Sequence, residues 1–158
     1  MKTTTQIAKH LREVYFGGNW TASNLKDTLS TVTWQQATTQ VYSFNTIAVL
    51  VYHIGYYIGG ATKVLVNKPL DIKDKYSFDV PTIQSEKEWQ QLLEKIWAEA
   101  ETFINRIEQL PDSILFEDFS DKKYGNYYRN LNGIIEHTHY HLGQIALLKK
   151  ILLETDKN

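Results

Sequence analysis

Apolar side chains recur every three or four positions in four stretches of the chain, and no stretch alternates strongly enough to predict a strand. The first predicted helix covers residues 5–16, with Ile7, Leu11, Val14 and Tyr15 on one face, and Gly17-Gly18 ends it. The second covers residues 44–66. Ser43 or Asn45 can cap it, and Lys68-Pro69 closes it. The third has the clearest local signal. Ser85-Glu86-Lys87-Glu88 reads as a capping box, and Trp89, Leu92, Leu93, Ile96, Trp97, Ala100, Phe103, Ile104 and Ile107 form its apolar stripe up to Pro111. The fourth covers residues 126–154, with Tyr127, Leu131, Ile134, Thr138, His141, Ile145, Leu148 and Leu152 on its stripe.

Between these stretches the pattern is looser. Residues 19–42 are rich in Thr, Ser, Asn and Gln, and read as a long connection with one or two helical turns, packed on the rest by Trp20 and Trp34. Residues 71–81 form a polar linker in which Tyr76 and Phe78 alternate with polar neighbours, a pattern compatible with extended chain. Residues 112–125 form another connection. Four amphipathic helices predict an all-α helix bundle in one domain, residues 1–158, and the long connections allow crossovers.

Composition narrows the class of function. Of the 158 residues, 42% are hydrophobic and 22% charged, as in a soluble globular protein. The formal net charge of -1, without a basic stripe, argues against nucleic acid as a partner. Cysteine is absent, which removes disulfides, thiolate ligands and a cysteine nucleophile, and fits a reducing compartment. The first residues lack the apolar segment of a signal peptide, so a cytoplasmic location is expected. No Asp, Glu, Lys or Arg occurs between Asp27 and Lys63. That stretch carries His53, Gly55, Gly59 and Gly60, and a helix buried among others explains it better than a membrane span.

The histidines carry the candidate chemistry. His137 and His141 lie roughly 40° apart around a helix and about 6 Å apart along it, so both rings can reach one point. His139 lies about 160° from His141 and faces elsewhere. His53 is at a comparable depth in the second helix and can supply a third ligand. Three neutral imidazoles suit zinc, nickel, iron(II), cobalt or copper, and leave coordination positions open. A histidine on an apolar helix can equally be a core residue with hydrogen-bonded nitrogens, and spacing by itself leaves both readings open. His10 reads as exposed. Tyr52, Tyr56, Tyr57, Tyr140 and Glu136 lie near the histidines, as pocket wall or as packing. No carboxylate is placed by spacing as a general base, and no phosphate loop or nucleophile elbow occurs.

The phrase from Glu136 to Ile145, Glu-His-Thr-His-Tyr-His-Leu-Gly-Gln-Ile, resembles the signature of the DinB-like family, a His-x-x-x-His pair followed by Gly-Gln-Ile. The phrase from Asn45 to Ile54, with His53 about two turns into its helix, resembles that family's other signature, and Trp20 with Leu25-Lys26-Asp27-Thr28-Leu29 looks like its first connection. The resemblance spans nearly the whole chain. It implies a four-helix bundle with a long crossover, and His53, His137 and His141 as ligands of zinc or nickel, with iron or manganese as further choices. It implies a homodimer. Some members of the family use a low-molecular-weight thiol as cosubstrate, in S-transfer or in isomerising maleylpyruvate, and many have no assigned reaction. Gly143 is then expected to admit a neighbouring helix. Gln144 is expected either to orient a metal-bound water or a ligand imidazole, or to bond between helices. The expected function is a metal-dependent enzyme acting on a small molecule, of thiol S-transferase or hydrolase type. The alternatives are a binding module for a small molecule or for stress regulation, and a bundle whose histidines are only structure.

Overall fold

The structure, a computed structural model, describes residues 1–155; the end of the expected domain, residues 156–158, lies outside them. Six α-helices form among the described residues: α1 (Thr3–Phe16), α2 (Leu25–Leu29), α3 (Trp34–Thr38), α4 (Ile47–Val64), α5 (Glu86–Gln109) and α6 (Tyr127–Thr155). Three short 3-10 turns join them, and the nearest thing to a sheet is a single bridge between Asp118 and Asn126. The fold is all-α.

The four long helices share one core. α1 and α4 each pack against both α5 and α6. Their inward residues include Leu11, Val14 and Tyr15 from α1, Ile54 and Ile58 from α4, Trp89, Phe103 and Ile104 from α5, and Leu131 and Ile145 from α6, all almost wholly buried. The short helices α2 and α3 lie over this core, α2 against α1 and α6, α3 against α4 and α5. Trp89 ties the first connection down, its indole N–H donating to the Val32 carbonyl at 2.8 Å. No helix is long and apolar enough to cross a membrane among the described residues.

Helix ends follow local chemistry, with some departures from expectation. Ser85 caps α5, its hydroxyl accepting from the Glu88 amide. The Glu88 carboxylate, however, accepts from the Gln84 amide and not from Ser85, so the reciprocal half of the box is displaced by one residue. A complete capping box forms instead at Thr33 and Gln36. Neither Ser43 nor Asn45 caps α4; Thr46 does, accepting from the Val49 amide at 3.3 Å. Asn126 accepts from the Arg129 amide and starts α6. The start of α1 is capped from far along the chain, the Asp112 carboxylate accepting from the amides of Thr3 and Thr4 at 2.9 Å.

Three further expectations are corrected. Trp20 does not pack on the core but is 99% exposed. Its neighbour Asn19 turns inward and donates to the Ser23 carbonyl and the Thr21 hydroxyl, and this tight turn aims Trp20 outward. Trp34 does pack, half-buried against the core. Gly143 is not a point of close approach, since a Cβ there would meet nothing within 4 Å. The close contact between α4 and α5 falls at Gly55, where a Cβ would stand 2.1 Å from Ile96 Cδ1. The linker after α4 is not simply extended. It folds into a 3-10 turn, Asp74–Tyr76, which brings Ser77 and Phe78 back toward α4.

Candidate metal centre

Two helices supply the three expected ligands. α4 presents His53 from the middle of its buried face, and α6 presents His137 and His141 from successive turns. Because α4 packs directly on α6, the three rings converge. Nε2 of His137 lies 3.0 Å from Nε2 of His53. The ring centroids stand 4.9 Å apart for His53 and His137, 4.8 Å for His53 and His141, and 4.5 Å for His137 and His141. One ligand atom from each can be chosen so that all lie within 4.8 Å of one another. His53 and His141 are buried and His137 is half-buried.

The donor set fits a transition-metal ion. A ring nitrogen binds zinc at about 2.0–2.1 Å, so two on one tetrahedral ion stand about 3.3 Å apart, close to the spacing of His53 and His137. Ligation also needs the neutral imidazole. Burial pushes His137 down to about 4, and the neighbouring rings of His141 and His53 act in the same direction. Burial lowers His53 too, helped by His141 and opposed by the Asp74 charge. It lowers His141, opposed by the Gln144 hydrogen bond. All three are therefore neutral at pH 7, the charge state in which an imidazole can donate a lone pair.

Gln144 bonds to a histidine of its own helix. Its Oε1 lies 2.7 Å from Nδ1 of His141, one turn before it on α6. An amide oxygen only accepts, so the His141 proton sits on Nδ1 and Nε2 is left bare. This is the orienting partner that histidine ligands usually have. His139 stands apart, its ring 6.1 Å from that of exposed His10.

The aromatic surroundings are partly those expected. Tyr57 presents its ring edge-on to His53 at 5.1 Å and to His137 at 4.9 Å. Tyr140, largely exposed, meets His141 at 4.9 Å. Tyr52 and Tyr56 pack instead on one another at 6.4 Å. A groove of about 770 Å³ opens beside His137 and Tyr57, with Tyr128, Arg129, Asn132 and Glu136 along it. A smaller one of about 380 Å³ borders Gln144, lined by Phe44, Leu50 and Leu147 among others.

Sequence reasoning missed the third contributor, the linker after α4. Ser77, fully buried, places its hydroxyl 2.9 Å from His53 Nδ1. Phe78 stacks on the His53 ring at 4.2 Å and 16°. The Tyr57 hydroxyl donates to the Asp74 carboxylate, and that bond, after burial, raises Tyr57 to about 12. Asp74 is thus the carboxylate that joins the site. The one signal for this segment was a pair of aromatic residues in an otherwise polar linker.

No family model, no curated protein and no solved structure matches the chain.

Proposed function

We propose that this chain is a divalent-metal protein of the DinB-like kind, acting as a thiol-dependent S-transferase or hydrolase on a small organic substrate. The observation that carries the reading is the convergence of three neutral imidazoles from α4 and α6, with Nε2 of His53 and Nε2 of His137 3.0 Å apart. The sequence motif on α6 and the packing of α1, α4, α5 and α6 around one core support a four-helix bundle with crossover connections. Zinc or nickel suits the all-nitrogen set best, and iron or manganese follow. Association as a homodimer in the cytoplasm belongs to the same proposal.

The three histidines hold the ion and leave coordination positions open. A bound divalent ion supplies Lewis acidity that makes a thiol or a water nucleophilic at neutral pH. Gln144 would keep His141 turned toward the ion, and Tyr57 and Phe78 pack against the His53 ring. The groove beside His137 gives an organic substrate its approach, with Arg129 available to an anionic group and Tyr128 to an apolar one.

The test is turnover by the metal-loaded protein with a panel of low-molecular-weight thiols and electrophiles, and with simple esters. The proposal expects metal-dependent formation of an S-adduct or of hydrolysed product, abolished in His141→Ala with the fold retained. Absence of turnover from a stoichiometrically loaded protein would leave the groove as the site of a non-catalytic binding module.

A further inference from the structure

The linker after α4 turns back over His53 and is held there at four points. The Tyr56 hydroxyl donates to the Lys73 carbonyl and accepts from the Lys73 amide, each at 3.0 Å. The Tyr57 hydroxyl donates to the Asp74 carboxylate. Phe78 stacks on the His53 ring. The fourth point is Ser77, whose hydroxyl has two kinds of partner. Its Oγ lies 2.6 Å from the Asp74 carbonyl, 3.4 Å from the Asp74 carboxylate and 2.9 Å from His53 Nδ1.

A serine hydroxyl carries one proton. Both Asp74 oxygens can only accept, so that proton points to Asp74, and at 2.6 Å the carbonyl takes it. Ser77 Oγ is then an acceptor toward His53, and His53 must bring the proton on Nδ1. Its Nε2 is left bare. Bare nitrogens cannot bond one another across 3.0 Å, so in the metal-free chain the proton between His53 and His137 is carried by His137 on Nε2. For His137 Nε2 to bind a cation, the ring would have to shift that proton to Nδ1, which keeps the imidazole neutral. In the flipped tautomer the buried Ser77 hydroxyl would have to turn its proton to His53 Nδ1 and give up its bond to the Asp74 carbonyl, leaving two acceptor oxygens 2.6 Å apart.

We propose that Ser77, backed by the Asp74 carbonyl, is a positioning residue that fixes His53 as the Nδ1–H tautomer with Nε2 aimed at the metal position. This rests on the metal reading above for its purpose, while the tautomer itself can be read without any ion. His141 is set in the same way from its own helix by Gln144, so two of the three ligands have their proton parked on the outer nitrogen. For His53 the partner comes from a different segment, and the linker therefore acts as a clasp on the ligand from α4.

The experiment is long-range 15N–1H correlation NMR on the metal-free protein, with zinc affinity measured by chelator competition. Wild type is expected to show His53 protonated at Nδ1 and bare at Nε2, and His137 protonated at Nε2. Ser77→Ala is expected to lose the His53 preference and to weaken zinc binding about 10–100-fold at a near wild-type melting temperature. Asp74→Asn keeps the backbone carbonyl and is expected to retain the wild-type His53 signals. Wild-type His53 protonated at Nε2 overturns the proposal, whatever the variants do. So does a folded Ser77→Ala that keeps both the wild-type tautomer and the wild-type zinc affinity. If wild type bound no ion at all, the metal reading would fail alone, and the metal-free spectrum would still decide the tautomer.

Discussion

Nε2 of His137 sits 3.0 Å from Nε2 of His53, although 84 positions separate the two residues in the chain. The contact joins the middle of α6 to the middle of α4, and His141, one turn after His137, closes the group. Burial disfavours protonation of all three rings, and the charge of neighbouring rings adds to this at His53 and His137. The packing that builds the core thus also keeps the three imidazoles neutral, the charge state that binding a metal ion would need.

That has a consequence for stability against pH. In the unfolded chain these imidazoles take up protons near about 6.5. In the folded, metal-free chain their pKa values are lowered, that of His137 to about 4. Between these values the unfolded state binds more protons, so stability falls as pH drops from about 6.5 toward 4 and is fully present above that range. The urea midpoint of the metal-free protein should therefore fall between pH 7.5 and pH 5, and fall less in His137→Gln. An equal fall in both proteins would mean that His137 is not buried neutral.

Gln144 should matter to the metal and little to the fold. Gln144→Ala removes the acceptor on His141 Nδ1, and zinc affinity should drop at least about tenfold with the helical circular dichroism unchanged. His139→Ala, which touches His10 and not the cluster, should leave zinc affinity at the wild-type level. The reverse ranking of the two variants would contradict the orientation assigned to His141.

How much of this was legible in the sequence depends on where the information lies. The α5 stripe was readable because a 3.6-residue period is local, and Trp89, Leu93, Ile96, Ala100, Phe103, Ile104 and Ile107 are all buried. Leu92 and Trp97, on the flank of that stripe, are only half-buried. The pairing of His137 with His141 was readable for the same reason. Spacing admitted His53 as a third member of the cluster, and the direct packing of α4 on α6 brings its ring to the other two. Ser77 and Asp74 were not readable, because they reach His53 and Tyr57 through a chain reversal with no periodicity to announce it. The exposure of Trp20 was hidden likewise, since Asn19 and its hydrogen bonds decide the turn. At Gly143 residue type alone misled, because it does not say which way a helix position faces.

One buried bond ties the first connection to α5, beside the apolar packing of Leu25, Leu29 and Ala37. Trp89→Phe removes the indole N–H and strands the Val32 carbonyl in the core. The loss, with the smaller ring's cavity, should come to about 2–4 kcal/mol in chemical denaturation. A loss below about 0.5 kcal/mol, the range of ordinary surface substitutions, would mean that the connection is held by other contacts.

The central claim is a metal ion held by His53, His137 and His141, and metal content tests it most directly. Inductively coupled plasma mass spectrometry on the untagged wild type and on His141→Ala should show near-stoichiometric zinc, nickel or iron in the first and its loss in the second. No metal in either protein, even after soaking with each ion in turn, would contradict the account and leave the three histidines as buried structure.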